Sequence, residues 1–89
     1  MTEHETITCC AGIDVSKAKL DAVVMPGGDH LVVAYTRQGL KELDAFLARH
    51  KVARIGFEAS GGYERRLLEH LRTGSIPAVR VQPRQVRAF

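Results

Sequence analysis

The chain has 89 residues, a hydrophobic fraction of 45% and a net charge of +3, which is the size of one domain and too apolar for global disorder. No apolar run approaches the roughly 20 residues that cross a bilayer, and the acidic, polar start Met1-Thr2-Glu3-His4-Glu5 is the reverse of a signal peptide's basic opening, so a soluble cytoplasmic protein without a membrane partner is expected. The charge is uneven: residues 1–71 hold nine Lys/Arg against ten Asp/Glu, whereas residues 72–89 hold Arg72, Arg80, Arg84 and Arg87 and no acid.

Residues 1–5 read as a disordered lead and residues 6–89 as the domain. Thr6 to Ile13 is apolar on both faces and predicts a central strand. Adjacent cysteines, Cys9 and Cys10, point to opposite faces of it, which excludes a strain-free disulfide between them and reads as two small buried hydrophobes. Val15-Ser16-Lys17-Ala18 is a short turn. Lys19 to Met25 forms a second strand, Pro26-Gly27-Gly28-Asp29 a hairpin turn, and Leu31 to Thr36 a third strand. The period then changes. Leu40, Leu43, Phe46 and Leu47 fall on one face of a helix that starts near Thr36 or Gln38 and ends around His50-Lys51. Val52 to Phe57 is a fourth strand. Ser60 is a candidate N-cap for a second helix, with Tyr63, Leu67, Leu68 and Leu71 as its buried stripe and Gly74 as the left-handed residue past its end. Ile76 to Val81 is a fifth strand, and Pro83 suits the first turn of a third helix.

The order is therefore β-β-β-α-β-α-β. The two helical crossovers make strands four and five parallel. With strand four beside strand one, the result is an α/β fold with a mixed sheet of order 3-2-1-4-5, the ribonuclease H-like arrangement, incomplete at its C-terminal end.

Two acids stand where strands run out. Asp14 follows Gly12-Ile13, and Glu58 follows Ile55-Gly56-Phe57. Ligands of open α/β sheets collect beyond the carboxyl ends of the strands. Strands about 4.8 Å apart let two neighbouring carboxylates share a hard divalent ion such as magnesium. On alternating geometry each acid lies on the face of a glycine two residues earlier, which leaves room for a metal, a phosphate or a packed helix. Singly, each acid has a plainer reading: Asp14 as a turn aspartate accepting from the amide of Ser16 or Lys17, and Glu58 as a helix-start acid favoured by the macrodipole. The four arginines after residue 71, with Lys17 and Lys19, suit a phosphate backbone; the arginines equally suit a solvated chain end.

Three blocks carry a resemblance. Gly12-Ile13-Asp14-Val15-Ser16-Lys17 with Leu20-Asp21, then Phe57-Glu58-Ala59-Ser60-Gly61-Gly62-Tyr63-Glu64, then Val79-x-Val81-x-Pro83-x-x-Val86-x-x-Phe89 together resemble the N-terminal, RuvC-like domain of the DEDD-type insertion-sequence transposases. Gln82 stands where that family usually has asparagine. The resemblance implies DNA transposition and recombination with magnesium-dependent strand cleavage and transfer. It makes Asp14 the first catalytic, metal-binding acid and Glu58 the second. It implies DNA as partner, a structured guide RNA, and a homo-oligomer in the full-length family. The two later aspartates of that set have no counterpart, since the aspartates are 14, 21, 29 and 44 and none follows Glu58; the coiled-coil region and the C-terminal domain with a nucleophilic serine are missing too. The expectation is a truncated domain, inactive by itself. Ser60 is not that nucleophile. Two other functions fit parts of the pattern: a non-catalytic nucleic-acid-binding module on Arg72, Arg80, Arg84 and Arg87, or an actin-like nucleotide-binding half, which shares the Gly-Ile-Asp opening but wants a glycine after it.

Overall fold

The computed structural model describes residues 8–59 and 62–81. The strands are β1 (Cys10–Val15), β2 (Lys19–Met25), β3 (His30–Ala34), β4 (Arg54–Ala59) and β5 (Ala78–Arg80), with helices α1 (Arg37–Arg49) between β3 and β4 and α2 (Glu64–Arg72) between β4 and β5. They form one sheet of order β3-β2-β1-β4-β5. β1, β2 and β3 pair antiparallel; β1 with β4 and β4 with β5 pair parallel. This is the mixed order expected with strand four beside strand one. No helix among the described residues is long and apolar enough to cross a membrane.

Both crossovers advance in the same direction across the sheet, and right-handed connections then place both helices on one face. Burial agrees. Ala11, Ile13 and Val15 of β1, Leu20, Ala22 and Val24 of β2, and Ile55 and Phe57 of β4 lie under Leu40, Leu43, Phe46 and Leu47 of α1 and Leu67 and Leu71 of α2. Each large side chain among them contributes about 1.5–3 kcal/mol by leaving water. The opposite face carries Cys10, Gly12 and Asp14, and beside them Arg54, Gly56 and Glu58. No described helix covers it, and Val32 and Val79 on it are 50% and 59% exposed. Cys9 and Cys10 are free and half-buried rather than buried, because Cys10 faces this open side.

The helix ends correct several expectations. Thr36 is the N-cap of α1, its hydroxyl accepting from the Gly39 amide at 3.0 Å. At the other end Lys51 takes a left-handed conformation (φ 54°). Its amide bonds to Ala48, and that of Val52 to Leu47, the paired bonds of a Schellman ending. That ending occupies Lys51 and Val52, so β4 starts at Arg54 and not at Val52. The N-cap position of α2 is Tyr63, which makes no side-chain cap bond. Ser60, expected there, lies outside the described residues, and Tyr63 is exposed instead of part of the buried stripe. Gly74 is not left-handed: α2 ends through Thr73, whose hydroxyl donates to the His70 carbonyl at 2.6 Å. β1 begins at Cys10, and β5 is confined to Ala78–Arg80; the first residues of the expected strand one, the lead before it and the third helix at Pro83 fall outside the described residues. Across the helices, His70 Nε2 lies 2.8 Å from an Asp44 carboxylate oxygen.

One glycine sets how closely a helix approaches the sheet. A Cβ on Gly39 would overlap the Ala34 carbonyl, coming within 2.8 Å of its carbon. Both atoms belong to backbone, so relief requires moving α1 off β3. Gly39→Ala is expected to destabilise the fold by about 2 kcal/mol or more, the range of a strained core substitution. Gly12→Ala, whose Cβ would meet only Val23 and Met25 side chains at 3.8 Å and 4.0 Å, should stay close to the unsubstituted chain. Denaturant midpoints of the two variants check the contrast.

Candidate functional site

The β1–β4 register pairs Gly12 with Gly56 and Asp14 with Glu58. The two acids are thus direct cross-strand neighbours on the uncovered face, each one residue inside the end of its strand instead of beyond it. Parallel neighbours stand about 4.8 Å apart, and the two glycines behind the acids leave the sheet floor bare. Asp14 is exposed and Glu58 half-buried.

Asp14 loses one of the two amides that its plainer role offers, and the plainer role of Glu58 does not hold. The Ser16 amide, which a turn-capping Asp14 would bind, donates to the Lys19 carbonyl at 3.1 Å, and the Ser16 hydroxyl donates to the same oxygen. Glu58 is not a helix-start acid, since α2 begins six residues later and the acid in its first turn is Glu64.

A third acid joins the row. Asp21 of β2 is the cross-strand partner of Asp14, so Asp21, Asp14 and Glu58 lie side by side on three adjacent strands. Asp21 is also hydrogen-bonded to His30 Nε2. Among the described residues no group of three or more His, Cys, Asp or Glu is gathered closely enough to hold a metal ion. The donor chemistry, carboxylate oxygens over a glycine floor, suits a hard divalent cation; Asp14 and Glu58 alone supply only part of a coordination shell.

The cationic candidates separate. β1, β3, β4 and β5 run the same way, so their carboxyl ends share one edge with the starts of α1 and α2. Lys17 and Lys19 lie at this edge, exposed, in and just after the β1–β2 turn. Arg80 ends β5 there and reaches Glu64 at 3.5 Å. Arg72, the last residue of α2, is at the opposite edge. Arg84 and Arg87 fall outside the described residues.

Tyr35, which no sequence pattern singles out, ties this edge together. Its amide donates to the Ala18 carbonyl in the β1–β2 turn at 2.9 Å. Its hydroxyl donates to the Tyr63 carbonyl at 2.6 Å and accepts from the Leu67 amide at 2.8 Å. Those two groups are also the acceptor and donor of the first i→i−4 pair of α2, so the phenol braces the helix start where no conventional side-chain cap is made. Arg66 lies 5.4 Å above the ring and donates to the Tyr35 carbonyl at 3.3 Å. Burial raises the Tyr35 pKa above 10.0, against the opposing pull of the Leu67 amide and of Arg66.

Among known protein families, the model of the IS110-type DEDD elements, described as Transposase, matches residues 11–89. No curated protein matches the chain.

Two outcomes follow from these contacts. Like charges side by side across strands are destabilising, so Asp14→Asn is expected to raise stability by a few tenths of a kcal/mol in metal-free, low-salt buffer, with the gain shrinking as salt screens the row; thermal melts in a salt series read this directly. A raised phenol pKa means the fold favours the neutral form. Its contribution is full below pH 10.0, the unfolded value, and is lost as pH rises through the folded value. Melting temperature should fall in that alkaline window more steeply for the unsubstituted chain than for Tyr35→Phe.

Proposed function

The chain belongs to the IS110-type DEDD transposase family, and from that premise we propose that residues 6–89 are the N-terminal part of the catalytic domain of a DNA transposase, with Asp14 and Glu58 as two of its metal-binding acids. The observation that carries the reading is the register: Asp14 opposite Glu58, Gly12 opposite Gly56, on a sheet face that no described helix covers.

When bound there, magnesium would supply Lewis-acid stabilisation of a phosphoryl oxygen and a more acidic attacking water or hydroxyl. The chain's own residues do simpler things. Asp14 and Glu58 present carboxylate oxygens from two rigid, hydrogen-bonded strands. Gly12 and Gly56 keep the floor beneath them clear. Asp21, engaged with His30, adds negative charge beside Asp14 that raises the attraction for a cation. Two acids are fewer than a cleavage centre for phosphodiesters requires, so the 89 residues alone bind DNA without cutting it; further acids complete the centre in an active transposase. A structured guide RNA and assembly into a homo-oligomer belong to the same reading, as does action in the cytoplasm.

The absence of a three-ligand group among the described residues favours one further possibility, a module that binds nucleic acid and performs no chemistry. Magnesium separates the two. Titration to millimolar concentration should shift the NMR signals of Asp14 and Glu58 and their strand neighbours, and Asp14→Ala with Glu58→Ala should abolish the shifts while DNA affinity persists. An unresponsive Asp14–Glu58 row at those concentrations would leave the binding module as the function.

A further inference from the structure

Both helices carry arginines in their first turn, α2 after an opening Glu64, and both meet the same edge of the sheet. Arg37 is the first residue of α1, whose first turn contains no acid. Arg65 and Arg66 are the second and third residues of α2. A helix N-terminus carries a partial positive charge, and cations there are unfavourable. Three arginines set against two dipoles at one edge, with Lys17 and Lys19 beside them, outnumber Glu64, the one acid in either first turn and already 3.5 Å from Arg80, and form a surface that a bound anion would stabilise.

Arg66 is the best-placed member. Its guanidinium rests over the Tyr35 ring and gives one of its five donors to the Tyr35 carbonyl, while the residue stays exposed. A guanidinium held on an aromatic face loses less freedom on binding phosphate than a free one. Tyr35 also bonds Ala18, so Arg66 is two hydrogen bonds from the turn that follows Asp14. The described clefts, about 330 Å³ each, include Gly74, Ser75 and Ile76 in their walls, past the C-terminal end of α2 at the opposite edge. The cationic edge is a line across several strands and not a pocket, which fits a polyanion better than a single small phosphate.

We propose that this carboxyl edge, with Arg66 braced on Tyr35 and with Lys17, Lys19, Arg37 and Arg65 along it, is the surface on which the backbone of a nucleic-acid strand lies. The inference rests on the reading of the chain as a DNA-acting domain, and it assigns the contact to the N-terminal end of α2, away from Arg72 at the other end of the same helix.

The test is a salt series of binding constants for a fluorescent DNA duplex with the full 89-residue chain and its Arg65→Ala, Arg66→Ala, Arg66→Lys and Arg72→Ala variants. Removing one phosphate contact reduces the magnitude of the slope of log K against log salt by about 0.9. Arg65→Ala and Arg66→Ala are expected to lower the slope by about that amount each. Arg66→Lys should keep the slope and weaken binding, because charge survives and the braced fork does not. Arg72→Ala should change neither. Arg65→Ala should also raise the melting temperature of the free chain, by removing a charge that opposes the dipole. An unchanged slope in both Arg65→Ala and Arg66→Ala, or an equal fall in Arg72→Ala, overturns this surface while leaving DNA binding itself established. No binding at low salt by the unsubstituted chain overturns the surface and the DNA-acting reading together. A silent magnesium titration with the expected slopes overturns only the metal site.

Discussion

The parallel pairing of β1 with β4 is the constraint on which the rest depends. Those two strands are adjacent in the sheet but separated in the chain by β2, β3 and α1, so every crossover angle and loop length between them must close on one register. Shifting that register by one residue would turn Ile55 and Phe57 out of the core and Gly56 and Glu58 into it. The hydrophobic face therefore fixes the position of the acids on the other face. Asp14 meets Glu58 because Ile13 and Phe57, their immediate neighbours and each other's partners, are 2% exposed under the helices. The site is precise for the same reason the core is.

A second device works at the carboxyl edge. Loops there carry no packed face of their own, and the connection into α2 has no conventional side-chain cap. Tyr35 supplies what is missing by binding the β1–β2 turn through its amide and the first turn of α2 through its hydroxyl. A phenol from the end of β3 thereby joins two connections that flank Asp14 and Glu58. Burial raises the phenol's pKa against the pull of the Leu67 amide and of Arg66, and the neutral hydroxyl so favoured is the form that can donate to the Tyr63 carbonyl.

What could be read from the sequence was what repeats. Alternation at period two placed β2 to the residue, and the 3.6-residue stripe of Leu40, Leu43, Phe46 and Leu47 gave α1 and its buried face. Parity put Asp14 with Gly12 and Glu58 with Gly56, and the crossover rule gave the parallel pair of β4 and β5, the strand order following once β4 stands beside β1. The misreadings fall where distant groups decide local structure. Ser60 and Gly74 carry ordinary capping chemistry, but α2 is held at its start by a tyrosine that lies 28 residues before the carbonyl it binds, and its end is closed by Thr73. Nothing in the local sequence marks Gly39, because only the approach of β3 gives its missing side chain a purpose. Asp21 carries a legible signal: it and Asp14 are equidistant from the Lys17–Ala18 turn, and in a tight hairpin such positions face each other.

The charges on the open face and its edge are hard to explain as fold. Three carboxylates side by side repel one another, and three arginines at helix starts oppose the dipoles. A sequence selected for stability alone would exchange them: acids suit helix N-termini and cations would relieve the row. Here, Glu64 at the start of α2 apart, these charges occupy places that favour the opposite sign, while Tyr35 braces one cation and Gly12 keeps the floor bare. External charge of both kinds, a cation over the carboxylates and an anion along the arginines, would relieve such an inversion. A metal ion and a phosphodiester backbone together would supply that combination, so the proposed metal site and the proposed nucleic-acid edge support one another.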